Sequence, residues 1–273
     1  MNWKYPKVIK DIKSKMILKN KKLLKELNSY PFYKVIRSKQ KTNSMLKKKF
    51  LLFAKSLGSL RSQNIKKHKI LEIKPDSEKL KKLKKMKKKV NSVLRYHQTN
   101  LGGSIHSDGP QLENPPKYII MACEKNALKG GESVLSNSKK IYEFLKKNKP
   151  EYLKLLTENF FFERRGFKYK NKNIFSKPIF YKSNEKFIFR YMREYMESAY
   201  RIKNRNLSIK QKKALDFLDF LLSSEKFRTK LKLNRGDMLL VNNHLVAHGR
   251  TAFKLNKKKN KDLNRIIYRI WIN

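Results

Sequence analysis

The sequence predicts a mainly β fold with helices, a double-stranded β-helix (jelly-roll) carrying helical insertions. Three observations carry that prediction. Strand-like runs are short, they are punctuated by Gly and Pro turns, and the amphipathic helical stretches fall between them as insertions. At 273 residues, 39% hydrophobic and 11% aromatic, the chain has the length and composition of one large globular domain. Residues 1–273 are therefore read as a single domain, with a basic N-terminal part at 1–94 and a core at 95–273.

In order, residues 1–28 read as a basic helix ending near Asn28-Ser29, and 30–36 as a short aromatic and β-branched strand. A second helix is expected over 43–56, stopped by Gly58, and a partly alternating strand over 69–74, ended by Pro75-Asp76. The stretch 79–89 sets Leu80, Leu83, Met86 and Val90 near one helical face with lysine elsewhere. It is the best candidate for contact with a membrane surface or nucleic acid. No aromatic side chains interleave there as stacking platforms, so a solvated basic face is preferred. From Tyr96 the texture turns polar, through His97, Gln98, Thr99 and Asn100 to Gly102-Gly103, where the backbone either approaches something closely or simply turns.

Residues 105–108 read as a strand, and after Pro115-Pro116 an apolar run at 117–123 reads as a buried one. Gly130-Gly131 turns the chain into a further strand at 132–135. A helix over 139–157 is divided by Pro150. Short β segments follow at 159–162, 173–181 and 187–192. Ser208 to Gln211 has the form of a capping box, opening a helix to about 230 with Leu215, Leu218, Phe220, Leu221 and Leu222 on its apolar side. Gly236-Asp237 is a hairpin-like turn, 238–241 a buried strand, 254–264 a lysine and asparagine loop, and 265–272 the last strand.

The formal charge of +48, from 69 Lys and Arg against 21 Asp and Glu, would favour anionic partners such as nucleic acid. Lysine is spread along the whole chain in company with Asn and Ile, so biased base composition is favoured over a dedicated nucleic-acid surface. Cys123 stands alone, which rules out an internal disulfide or a thiolate metal cluster and allows a reducing compartment. Lysines interrupt every apolar run of residues 1–22, and nowhere are about 20 apolar residues consecutive. No membrane span is expected, and the cytoplasm is the expected location.

The chemistry-bearing stretch is His106-Ser107-Asp108. On a strand, residues two apart share a face, so His106 and Asp108 point into one pocket. A further histidine from 242–250, His244 or His248, completes two imidazoles and a carboxylate. Such a set covers one face of an octahedral ion and leaves the other positions open, as in non-haem Fe(II) oxygenases. Two histidines and a carboxylate also serve zinc hydrolases.

Taken in order, His106-Ser107-Asp108, Pro115-Pro116, Gly130-Gly131-Glu132-Ser133, the run Gly236 to Asn243, His248-Gly249-Arg250-Thr251-Ala252-Phe253 and Arg265-Ile266-Ile267-Tyr268-Arg269 resemble the TauD/TfdA-like Fe(II)- and 2-oxoglutarate-dependent dioxygenases. The likeness is good from about residue 95 onward and loose before it. It implies a clavaminate synthase-like jelly-roll with His106, Asp108 and His248 as Fe(II) ligands, the His-Gly-Arg context selecting His248 over His244. It also implies 2-oxoglutarate and O2 as co-substrates. By position Arg265 would hold the far carboxylate of 2-oxoglutarate, a role its planar fork suits, with Ser133 assisting. Arg269, on the same strand face, would point into the barrel toward co-substrate or an anionic substrate group.

Gln98, Thr99, Asn100, Arg190 and Arg193 are the candidate substrate contacts that the resemblance implies. The implied activity is hydroxylation of a small polar metabolite with release of succinate and CO2. Such a metabolite would bear a carboxylate, sulfonate or phosphonate, or be an amino acid or amine. The retained Asp108 argues against halogenation. Gly130 to Ser133 and Arg265 speak against the zinc hydrolase. The full ligand set with Arg265 speaks against a basic nucleic-acid-binding protein built on a dioxygenase-like scaffold.

Overall fold

Side chains point to alternate faces along a strand, and the central strands Tyr118–Lys125 and Met238–Asn242 are buried on both, so the sheet they form has two working faces. The computed structural model describes residues 8–10, 17–37, 46–76, 98–167, 172–183, 186–255 and 265–273. Its first elements are β1 (Val8–Lys10), α1 (Ile17–Glu26), β2 (Tyr33–Arg37), α2 (Leu46–Leu57), β3 (Leu60–Arg61), β4 (Ile70–Ile73) and β5 (Tyr118–Lys125). There follow β6 (Ser133–Asn137), α3 (Ser138–Asn148), α4 (Pro150–Leu156), β7 (Asn159–Glu163), β8 (Ile174–Pro178), β9 (Phe180–Ser183) and β10 (Lys186–Phe189). The chain closes with α5 (Arg193–Ile202), α6 (Ile209–Ser223), β11 (Arg228–Leu231), β12 (Met238–Asn242), β13 (Val246–Arg250) and β14 (Ile266–Ile272).

A seven-stranded major sheet runs β1-β2-β12-β5-β14-β3, with β4 also paired to β14. A minor sheet runs β11-β6-β13, antiparallel throughout. Between the two sheets lies a core of Ile119, Met121 and Cys123 of β5, Leu239 and Val241 of β12, Ile267 and Trp271 of β14, Leu135 and Val246. The alternate residues of the same strands, Tyr118, Ile120, Ala122, Leu240, Ile270 and Ile272, face outward. There they pack under Leu23 and Leu27 and under Phe50, Phe53, Ala54 and Leu57 of α2. A third cluster joins α3, α4 and α6 to residues of the hairpins β7-β8 and β9-β10. This is the jelly-roll with helical insertions that the sequence predicts.

Strands from the first 94 residues are woven into the major sheet: β2 pairs with β12, and β3 and β4 pair with β14. Pro150 divides its helix as predicted, occupying the start of α4 while Asn137 caps α3 by accepting from the Lys140 N–H at 2.9 Å. The capping box at Ser208 and Gln211 is formed.

Several expectations are corrected. Residues 1–28 are not one helix, since Val8–Lys10 is a strand parallel to β2. The helix after Ser208 ends at Ser223 rather than near 230, because 228–231 is taken up as β11 by the backbone groups of β6. Phe220 is 62% exposed, its position on the helix turned away from buried Leu218, Leu221 and Leu222. Strand β10 stops at Phe189, and a helix unforeseen in the sequence begins at Arg193. The lysine-rich run at 79–89, His97 and residues 256–264 lie outside the described residues. Among the described residues no helix is long and apolar enough to cross a membrane.

Phe50 is fully buried where α2 meets the major sheet, so Phe50→Ala removes a large side chain from a close-packed site. The expected loss is about 3–5 kcal/mol in urea unfolding, against about 0.5 kcal/mol or less for Leu52→Ala on the exposed side of α2.

Candidate active site

A two-way backbone bridge sets the geometry. The His106 N–H donates to the His248 carbonyl at 2.9 Å, and the His248 N–H donates back to His106 at 2.7 Å. Residues paired in this way across antiparallel chains present their side chains on one face. The two imidazoles accordingly lie 4.7 Å apart between ring centres. The 105–108 segment is thus a single bridge rather than a strand. His248 is held at the centre of β13, which is registered against β6.

Asp108 is placed by Asn243, whose Oδ1 accepts the Asp108 N–H at 2.8 Å and whose Nδ2 donates to the carbonyls of Asp108 (2.9 Å) and Pro116 (2.8 Å). With that clamp, one ligand atom from each of His106, Asp108 and His248 lies within 4.8 Å of the others, and all three residues are buried.

Electrostatics prepare these groups for a cation. Burial alone would raise the Asp108 pKa. The guanidinium of Arg269, the two imidazoles and the indole of Trp271 reverse the effect and hold the carboxyl below its ordinary range. Arg269 Nη1 donates to Oδ1 at 2.6 Å and Trp271 Nε1 to Oδ2 at 2.9 Å, so each oxygen keeps a lone pair. His248 is pushed down to about 3 by burial, against the pull of Asp108. His106 donates Nδ1–H to the Ser104 carbonyl at 3.0 Å, the outer contact that orients a metal-binding imidazole. An ionised carboxylate, a neutral His248 and an oriented His106 fit a divalent cation such as Fe(II) with open positions.

The three groups line a cavity of about 430 Å³. Ser133 of β6 and Arg265 line the same cavity. Gly131 has φ +75, and a Cβ there would stand 3.1 Å from Arg265 Cδ. The Gly-Gly turn therefore forms a cradle for the arginine stem, and Arg265 Nε donates to the Gly131 carbonyl at 3.2 Å.

The profile of the Taurine catabolism dioxygenase TauD, TfdA family matches residues 40–271. The chain belongs to that family. Its curated relatives include FR-33289 synthase of Streptomyces rubellomurinus, 28% identical over 67% of this chain and 53% of that protein. Gamma-butyrobetaine dioxygenase of Homo sapiens is 26% identical over 55% of this chain and 40% of that protein. The chain spans about half the length of the curated relatives it matches.

Among solved structures, asparagine oxygenase with Fe(II), hydroxyasparagine and succinate superposes with a TM-score of 0.68 at 12% identity, over 93% of this chain and 79% of that one. The non-haem iron oxygenase OrfP with Fe and alpha-ketoglutaric acid gives 0.63 at 15% identity, over 93% and 78%. At such identities the likeness is one of fold, and it agrees with the jelly-roll.

The TauD/TfdA-family chain brings His106, Asp108, His248, Ser133, Arg265 and Arg269 to one cavity. Gln98, Asn100, Arg190 and Arg193 are not among its lining residues. Asn100 donates to the Phe253 carbonyl at 3.0 Å, and the Gln98 carbonyl accepts the Asp76 N–H at 2.9 Å. The neighbouring Thr99 is buried, its carbonyl bonded to Arg250 at 3.0 Å. Arg190 is buried against the carbonyls of Pro110, Leu112 and Glu113, and burial lowers its pKa to about 10. Arg193 braces Glu197, Asp216 and Asp219.

The cavity wall is instead completed by Arg165, by Glu194, Tyr195, Ser198 and Arg201 of α5, and by Gln63, Asn64, Leu71 and Ile73 from the N-terminal part. The spacing of 194, 198 and 201 along one helix face is the sequence signal that could have found that wall. His244 stands apart from the ligand set, with Nε2 3.2 Å from the Pro115 carbonyl.

Burial holds His248 at about 3 and His244 at about 4, while in the unfolded chain both sit near 6.5. Between those values the unfolded chain binds protons that the folded one does not. Stability from these groups is therefore complete above about pH 6.5 and falls as pH drops toward 4. The urea midpoint of metal-free protein should fall between pH 7 and pH 5, and His244→Gln should make the fall shallower. An unchanged slope in the variant would contradict the assignment of His244.

Proposed function

We propose that this chain is an Fe(II)- and 2-oxoglutarate-dependent dioxygenase that hydroxylates a small polar metabolite with release of succinate and CO2. The observation that carries the reading is the union of His106, Asp108 and His248 with Arg265 and Ser133 in one cavity. When bound, the iron supplies the activation of O2, one oxygen atom entering the carboxylate of succinate and the other the substrate C–H bond. His106, Asp108 and His248 would hold that ion. Arg265 offers the far carboxylate of 2-oxoglutarate a planar donor fork, and Ser133 a hydroxyl. Met121, Ile267 and Trp271 give the cavity its apolar lining beside these groups.

Arginines 165, 201, 250, 265 and 269 line the cavity against the acids Asp108 and Glu194, which suits a substrate bearing an anionic group. One relative is named for gamma-butyrobetaine, and a solved structure of the same fold for asparagine. Such a substrate would meet Arg165, Glu194 and Arg201 rather than Arg190 and Arg193, which are engaged elsewhere. One domain working in the cytoplasm is part of the reading. The pairing of β2, β3 and β4 with core strands supports the first, and the lone thiol of Cys123 allows the second.

Anaerobic addition of Fe(II) and then 2-oxoglutarate to metal-free protein should produce a visible charge-transfer band, absent in His106→Ala. A folded protein that gives no band would overturn the reading and direct attention to zinc and nucleic acid. Loss of two charge-assisted hydrogen bonds in Arg265→Ala should raise the 2-oxoglutarate concentration for half-formation of the band by about 100-fold. A shift under about threefold would remove Arg265 from the co-substrate site.

A further inference from the structure

Arg269 meets Asp108 through a single nitrogen. Nη1 donates to Asp108 Oδ1 at 2.6 Å, and Nε donates to Gln63 Oε1 at 2.9 Å. A guanidinium next to a carboxylate can chelate both oxygens, side-on through Nε and Nη2 or end-on through Nη1 and Nη2. Neither fork forms here. Gln63 occupies Nε, which removes the side-on fork and fixes the plane of the group, while Trp271 Nε1 holds Oδ2 at 2.9 Å.

Gln63 is itself over-determined. It is 4% exposed, and its Nε2 donates to the carbonyls of Lys69 at 3.0 Å and Arg269 at 2.6 Å. Both amide hydrogens are used, so the amide oxygen must face Arg269. Its backbone is fixed as well, the Gln63 N–H donating to the His68 carbonyl at 2.9 Å.

We infer that Gln63 is a positioning residue for the metal site: it restrains Arg269 to one-point contact with Asp108, so that the carboxylate keeps lone pairs for the cation. The inference rests on the metal-binding reading above. Without Gln63 the guanidinium is free to turn and chelate Asp108 in competition with the metal. A residue 206 positions from Arg269, on the loop between β3 and β4, thereby governs how open Asp108 is.

The test is Co(II) titration of metal-free protein, read by visible absorption, with thermal melts of every variant. Gln63→Met should weaken Co(II) binding by about tenfold or more, the usual scale for outer contacts of a metal site. In an Arg269→Met background the same substitution should change affinity by less than about twofold, because no guanidinium remains to be restrained. Gln63→Glu keeps an acceptor for Nε while losing both carbonyl contacts, and should bind Co(II) at least as tightly as wild type. It also keeps the test decisive if the methionine variant does not fold.

Wild-type affinity in Gln63→Met would overturn the inference. So would an equal loss with and without Arg269, or a loss in Gln63→Glu as deep as in Gln63→Met, since either marks a merely structural role. Folded wild-type protein that binds no Co(II) would overturn both the inference and the reading beneath it.

Discussion

Removing a carboxylate from water costs on the order of several kcal/mol unless its charge and its lone pairs are answered inside the protein. Asp108 is 4% exposed, and much of the surrounding architecture answers it. Arg269 supplies the opposing charge and Trp271 a neutral donor, and the two are alternate residues of β14 on the face toward the minor sheet. Asn243 holds the backbone on either side of the same residue. The inner face of the last strand thus combines an electrostatic and a packing duty, Arg269 standing between Ile267 and Trp271, which belong to the core between the sheets.

The site belongs to neither sheet alone. β13 of the minor sheet brings His248, which fixes His106 through the backbone bridge, while the major sheet brings Arg269 and Trp271 from β14. The apolar residues between them set the spacing of the two layers, since packed sheets stand about 10 Å apart. At the far side, the Arg265 stem packs closely on Gly131, where a Cβ would stand 3.1 Å from its Cδ. Packing of small and large groups therefore decides where the polar ones stand.

The fold and the metal site were legible in the sequence because each rested on periodicity or on a local motif. Apolar runs beside Gly and Pro turns revealed β5 and β12, and His-x-Asp required only two residues on one face. What was not legible depended on distance in sequence. Nothing around Gln63 signals that its amide will meet Arg269, and nothing in Arg190 signals that three nearby carbonyls will absorb its donors. Arg193 looked like a pocket charge because its acidic partners Asp216 and Asp219 come from another helix. β11 was hidden because Arg228 to Leu231 has little strand character of its own and becomes a strand by completing the hydrogen bonds of β6.

The interlacing of β2, β3 and β4 with β12 and β14 bears on how the protein is made. β2, β3 and β4 each find a partner among the last 40 or so residues of the sequence, at separations for which loop closure is slow. On the ribosome, β2, β3 and β4 must wait for these pairings until β12 and β14 emerge. Asp108 likewise waits for Arg269 and Trp271, which follow by 161 and 163 positions. A finished ion site therefore exists only once the stretch up to Trp271 has been made, and metal loading follows the synthesis of that stretch rather than guiding it.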